Sequence, residues 1–276
     1  MRPVILPQIY SKNSRTLKNL MTQWIQFDYQ GSGGFGILEG TTITEHQGSM
    51  FASPQPTGRR FDIRDVKVQI PTQASKMIAM ANNFHALIEK LGLTVPEDPL
   101  YFLKANSSFL PTGDPIVRPP GYAGKIVFEG ELGIVIGSIC ARVSTLQAPE
   151  FIFGYTCVND VTAFDLLQKN PTFPQWTRCK AADTFGVFGP AISTDLDPAE
   201  IRVTTLVDGQ ERQNYPITDM VFTPAELVSR VSYDMTLLPG DVIACGTSVG
   251  VGTLKPGNIV EVKIEGIGTL TNEFSG

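Results

Sequence analysis

Two glutamates one residue apart, Glu129 and Glu131, interrupt an apolar run, KIVFEGELGIVIG, that spans Lys125 to Gly137. The run is rich in Ile and Val, the composition of a strand buried on both faces. Side chains of a strand alternate faces, so residues two apart point the same way. Strand rise sets their α-carbons about 7 Å apart, and flexible Glu side chains close that gap onto one cation. Gly130 between them leaves room for a ligand or for a close backbone. Two ionised carboxylates on one buried face repel, lose hydration and tend to protonate. A hard divalent cation removes both problems; the alternative is an exposed edge where both face water. The next apolar strand, EFIFGYTCVND, ends in Asp160. A third carboxylate there makes an oxygen-only site suited to Mg²⁺, and alternatively to Mn²⁺ or Ca²⁺, rather than to zinc. Such a metal could hold the oxygens of a 2-oxo or 1,3-dioxo acid and stabilise its enolate. The competing role for Asp160 is N-cap of the segment behind it.

Other side chains have two readings each. His85 and Glu89, four apart in NNFHALIEKLGLTVP, share a helix face if Asn82 or Asn83 caps that helix and Gly92 stops it. They form a general acid–base pair, or they are helix residues with no role. The chain has only two histidines, and the other, His46, lies in a turn-rich stretch. Lys104, closing PLYFLK, is a substrate anchor or a solvated strand end. Lys180 stands near a loop and could pair with Asp183. GSGGFG, with Gly31, Gly33 and Gly36, matches a dinucleotide fingerprint but lacks the required strand before and helix after it. It reads as a glycine hairpin, and a nicotinamide cofactor is expected to give no thermal stabilisation.

The elements that must position these groups are mostly strands. Residues 17–27 suggest a short helix with Leu17, Leu20, Met21 and Trp24 on one side. Residues 1–75 form a small β-rich N-terminal module, and 76–276 the larger catalytic part. FDIRDVKVQI alternates as a strand does, KMIAMA is apolar and leads into the stretch with His85, and IRVTTLVDGQERQ reads as a hairpin turning at Asp208-Gly209. MVFTPAELVSRVS is a helix with Pro224 in its first turn. LLPGDVIACG and LKPGNIVEVKIEG enter strands through similar turns, and GTSVGVG between them is a mobile loop. The class is α+β, mostly β, with mixed sheets rolled into a barrel-like core rather than βαβ winding.

Bulk properties narrow the partners. The 276 residues carry a net charge of −5 and no Lys/Arg run, which argues against nucleic acid or an anionic membrane. No apolar stretch reaches the ~20 residues of a membrane span, and the N-terminus lacks a signal-peptide pattern. The expectation is a cytoplasmic protein. The four cysteines, at 140, 157, 179 and 245, form no C-x-x-C and read as reduced packing residues.

GKIVFEGELGIVIG, GYTCVND, KAADTFGVFGP, LLPGDVIACGTSVGVG and EVKIEGIGTLTNE, in this order and spacing, resemble the fumarylacetoacetate hydrolase family over residues 76–276. The resemblance implies a homodimer and a Mg²⁺ or Ca²⁺ held by Glu129, Glu131 and Asp160. It implies that Lys180 helps polarise a substrate oxygen. Thr247, preceded by Gly246, would lie near the substrate carboxylate. Departures bear on activity. Leu87 stands where the family's catalytic histidine is expected, and Asn82 where an arginine often precedes the Asn83-Phe84 signal. Phe164 and Leu167 replace an arginine and a glutamine of the N-D block, so the substrate differs from fumarylacetoacetate and is more apolar. The expected activity is metal-dependent hydrolysis of a C–C bond in a small dicarbonyl or 2-oxo acid. Decarboxylation or isomerisation of a 2-oxo or 2-hydroxydienoic acid shares the same enolate. A ligand-binding dimer that has lost catalysis is the reading of another class.

Overall fold

The computed structural model describes residues 21–276. Its strands fall into three sheets of twelve, four and three strands, mixed in direction, so the α+β, mostly β class holds. In the large sheet, Gly186–Ser193, Ile152–Asp160, Gly130–Ile136 and Val242–Ala244 run side by side and antiparallel. Val242–Ala244 then pairs in parallel with Met77–Ala81, which pairs with Leu100–Lys104 at the edge. The continuous apolar runs expected of strands covered on both faces are those buried along their length, Gly130–Ile136 and Gly186–Ser193 among them.

Residues 23–29 are a strand, not the second half of a helix, while 17–20 lie outside the described residues. QWIQFDY is aromatic and β-branched, and it pairs along its whole length with Ser32–Glu39. Trp24 packs in one apolar cluster while Ile25 and Phe27 pack in another. Gln30 and Gly31 both adopt positive φ, 54° and 83°, as a two-residue hairpin turn requires. GSGGFG therefore is hairpin: a Cβ on Gly36 would lie 2.2 Å from the carbonyl oxygen of Thr44 on the neighbouring strand. This first strand also pairs with Gly186–Ser193, which joins the N-terminal hairpins to the large sheet. The Asp208-Gly209 turn is present, with φ of 52° and 72°.

The run around the two glutamates is not one strand. Ile126–Phe128 pairs with Thr162–Ala163 and Gly252–Thr253 in the small sheet, whereas Gly130–Ile136 belongs to the large one. The neighbouring strand divides likewise, into Ile152–Asp160 and Thr162–Ala163. Two adjacent chains thus leave one sheet for another at the same level. Glu129, Glu131 and Asp160 stand at that seam.

The His85–Leu91 helix ends at Gly92 in the left-handed region, φ 64°, as expected, but neither Asn82 nor Asn83 caps it. Phe84 occupies the cap position without a side-chain bond. Asn82 has φ 52°, and the buried Asn83 side chain bonds Phe222 and Cys245 instead. The Pro224–Asp234 helix opens with a complete capping box between Thr223 and Glu226. No helix among the described residues is long and apolar enough to cross a membrane.

Candidate active site

Oxygens of Glu129, Glu131 and Asp160 all lie within 4.8 Å of one another. The break between sheets brings them together. The Asp160 N–H donates to the Glu129 carbonyl at 2.9 Å, and the Glu129 N–H donates to Asn159 Oδ1 at 3.0 Å. Asp160 caps no helix: the short Phe164–Leu167 helix begins after Ala163. Gly130 makes room for protein, not ligand. A Cβ there would fall 2.0 Å from Thr205 Oγ1.

Two buried lysines face the carboxylates. Lys180 Nζ donates to Glu129 Oε2 at 2.8 Å and to Asp160 Oδ2 at 2.6 Å, so its partners are these acids rather than Asp183. Lys104, far from being solvated, is 1% exposed and pairs with Asp160 Oδ1. Burial opposes charge on Asp160, but the two ammonium groups outweigh it and hold its carboxyl below the usual range. Burial likewise opposes charge on Lys180, yet Asp160 and Glu129 raise its pKa and keep it an ammonium. Burial pushes Lys104 down, only partly offset by Asp160.

Glu131 is the unsatisfied member. Its Oε2 accepts from the Gly246 N–H at 2.9 Å, while its buried Oε1 has no hydrogen-bond partner. Burial first, then the charges of Asp160 and Glu129, push its carboxyl well above the usual range. Glu129 Oε1 is bound by the Thr162 hydroxyl at 2.6 Å. Three converging carboxylates against two ammonium groups, with one buried oxygen lacking any donor, fit a hard divalent cation. The cluster contains neither thiolate nor imidazole, the softer ligands that would point to zinc.

Thr247 and Gly246 are packed beneath this cluster. Thr247 Oγ1 donates to the Gly130 carbonyl at 2.9 Å and accepts from Gln213 Nε2 at 2.8 Å. Thr247 and Ser248 are buried, so this part of the Gly246–Gly252 loop is anchored. Gln213 Oε1 takes the Gly130 N–H at 3.1 Å, and the Tyr215 hydroxyl donates to the Gly130 carbonyl. Gln213, Tyr215 and Thr162 carry no sequence signal. They reach the site only because the hairpin Arg202–Pro216 and the small sheet pack against it.

His85 and Glu89 lie on the exposed face of their helix. No hydrogen bond links either to the carboxylate cluster among the described residues. His46, the other histidine, bonds the Thr44 carbonyl and packs edge-on against Trp24. All four cysteines are buried and free, as expected.

Fold and acidic cluster are those of an enzyme family, and the chain belongs to it: the fumarylacetoacetate hydrolase family. The family model for the fumarylacetoacetate (FAA) hydrolase C-terminal region matches residues 76–275, and an Rv2993c-like N-terminal model matches 22–71. Protein Rv2993c of Mycobacterium tuberculosis is 43% identical over 83% of this chain and 85% of its own. Oxaloacetate tautomerase YisK of Bacillus subtilis is 34% identical over 78% of this chain and 75% of its own. The crystal structure of 2-hydroxyhepta-2,4-diene-1,7-dioate isomerase from Mycobacterium marinum is 37% identical, covers 92% of this chain and 98% of that one, and superposes with a TM-score of 0.84. A maleylpyruvate hydrolase from Sphingobium sp. SYK-6, solved with manganese(II) and pyruvate, is 25% identical over 92% of this chain and 98% of that one, with a TM-score of 0.74.

Proposed function

We propose that this protein is a divalent-metal-dependent isomerase that relocates a proton on a small 2-oxo acid through its enolate. The observation that carries this reading is the converging triad of Glu129, Glu131 and Asp160, with the buried Glu131 Oε1 lacking a donor beside two lysines. Glu129, Glu131 and Asp160 would hold Mg²⁺ or Mn²⁺. When bound, the cation supplies a Lewis acid for the substrate's carboxylate and 2-oxo oxygens. Lys180, fixed as an ammonium by two carboxylates, supplies positive charge where the enolate oxygen develops negative charge. The Thr247–Gln213–Gly130 bonds keep the two glutamates and the Gly246 amide in register.

His85, with Glu89 one turn on, is proposed as the group that carries the proton at carbon, from a helix beginning beside Asn83. Asn83 in turn bonds the carbonyl of Cys245, next to Gly246. Proton relocation needs no positioned water. The likeness to the oxaloacetate tautomerase and to the hydroxyheptadienedioate isomerase supports isomerisation ahead of the C–C hydrolysis first expected. Hydrolysis is the second reading, favoured by the likeness to the maleylpyruvate hydrolase. A homodimer is part of the proposal, and sedimentation equilibrium tests it.

The deciding experiment follows oxaloacetate enol–keto conversion and acylpyruvate cleavage with Mn²⁺, in wild type and in Glu131→Ala and His85→Ala. Glu131→Ala should abolish calorimetric Mn²⁺ binding and lower kcat/KM at least ~100-fold, and His85→Ala should lower kcat by roughly 10²-fold or more. Wild type that binds Mn²⁺ and turns over neither substrate is a binding protein, and the isomerase reading then fails.

A further inference from the structure

Beside the carboxylate cluster lies a cavity of about 410 Å³, within the range of small-molecule sites. Its lining includes Ala81, Asn82, Leu100, Tyr101, Phe102 and Trp176. Phe102 and Trp176 stack nearly parallel, with centroids 5.0 Å apart and planes 13° from each other. Lys180 Nζ stands 5.2 Å from the centroid of the Phe102 ring while bonding Glu129 and Asp160. Lys104 follows Phe102 by two residues on the same buried strand face and pairs with Asp160. Trp176 and Lys180 are the first and last residues of one short helix. The Phe102 ring therefore borders both the cavity and the ammonium that faces the carboxylates.

The lining is also uncharged. No Lys, Arg, His, Asp or Glu is part of it, and the Tyr101 hydroxyl is committed to Asp234 at 2.8 Å. A carboxylate at the far end of a substrate would lose hydration there and find no cation, which is costly. A flat apolar group would instead meet aromatic faces.

We infer that this cavity receives the far end of the substrate, and that the substrate is a monocarboxylic 2-oxo acid with an uncharged, flat apolar tail rather than a dicarboxylate. The inference deepens the isomerase reading and rests on it for the placement of the oxo-acid end. Phenylpyruvate and oxaloacetate serve as probes, differing only at that far end. Their affinities for the Mn²⁺-loaded protein are measured by calorimetry, and their enolisation by ultraviolet absorbance.

Phenylpyruvate should bind at least ~10-fold tighter than oxaloacetate, the scale of apolar pocket discrimination. Trp176→Ala should weaken phenylpyruvate about 10-fold more than oxaloacetate. Leu100→Arg, at a position 46% exposed and so tolerant of substitution, should swing the preference toward oxaloacetate by bringing a cation to the rim. Equal or tighter oxaloacetate binding by wild type, or no change of preference in either folded variant, overturns the inference. Oxaloacetate bound and enolised with phenylpyruvate ignored leaves the isomerase reading standing alone. Phenylpyruvate bound preferentially but never enolised supports the cavity's role and removes the isomerase.

Discussion

Lys104 concentrates the electrostatics of the site in one side chain. It is buried, its ammonium faces Asp160, and the nearest other cation is Lys180, which shares that carboxylate. Replacing Lys104 with Met removes one partner and leaves Asp160 buried. Losing one member of a buried pair costs about 3–5 kcal/mol. Lys104→Met should therefore lower metal-free stability by about 3 kcal/mol in a denaturant titration. The same change removes a positive charge from the metal's surroundings, so Mn²⁺ affinity should rise, read by calorimetry. A fall in both would mean that Lys104 orders the triad rather than neutralising it. The acidic triad was legible in E-x-E and the N-D block because residue type and spacing alone suggest a shared cation. The roles of Lys104 and Lys180 were less legible, since a lysine at a strand end is solvated unless other elements bury it.

The hairpin strand Gln210–Pro216 and the Pro224–Asp234 helix act as elements rather than as chemical groups. Gln213 holds Gly130, Thr247 and the Ser248 carbonyl together from a fully packed position. Gln213→Leu keeps bulk but leaves the Gly130 amide and the Ser248 carbonyl without this partner, a loss of about 1–3 kcal/mol. Because outer-shell partners orient metal ligands, Mn²⁺ affinity should fall roughly 10-fold as well. Unchanged affinity would show that the hairpin is merely packed there.

At the helix, the Thr223 hydroxyl and N–H donate to Glu226 and hold its carboxyl below the usual range. A folded-state pKa below the unfolded one adds stability above the ordinary carboxylate pKa, and that stability is lost as pH falls through the folded value. Thr223→Ala should cost about 1 kcal/mol at neutral pH, and chemical denaturation from neutral to acid pH should show a shallower loss than in wild type. The sequence marked this helix well, through Thr223, Pro224 and Glu226. It misled over residues 23–27, whose apolar spacing suits a helix until strand partners on both sides claim the backbone.

On the scale of the whole molecule, the site is a seam where two strands pass from a large sheet to a small one, so metal binding should stabilise the entire fold. At a hundredfold excess over its dissociation constant, a ligand specific to the native state adds about 2.7 kcal/mol. For a chain of this size that corresponds to a melting shift of roughly 5–10 °C. Scanning calorimetry with Mn²⁺, then with a chelator in excess, should show that shift appear and vanish. A melting temperature indifferent to both would remove the metal from the folded protein. What the sequence determined by itself was local: most of the strands, the turns at Asp208-Gly209 and Gly92, and which carboxylates converge. Those follow from side-chain alternation, β-branching and turn conformations that neighbouring residues fix. Only the tertiary structure decided that Glu129 lies between two strands of different sheets while Glu131 lies in the second, that Glu131 Oε1 is left without a donor, and that Phe102 and Trp176 line a cavity near Lys180. Those facts depend on contacts between segments far apart in the chain, and burial there, more than residue type, sets charge state and partner.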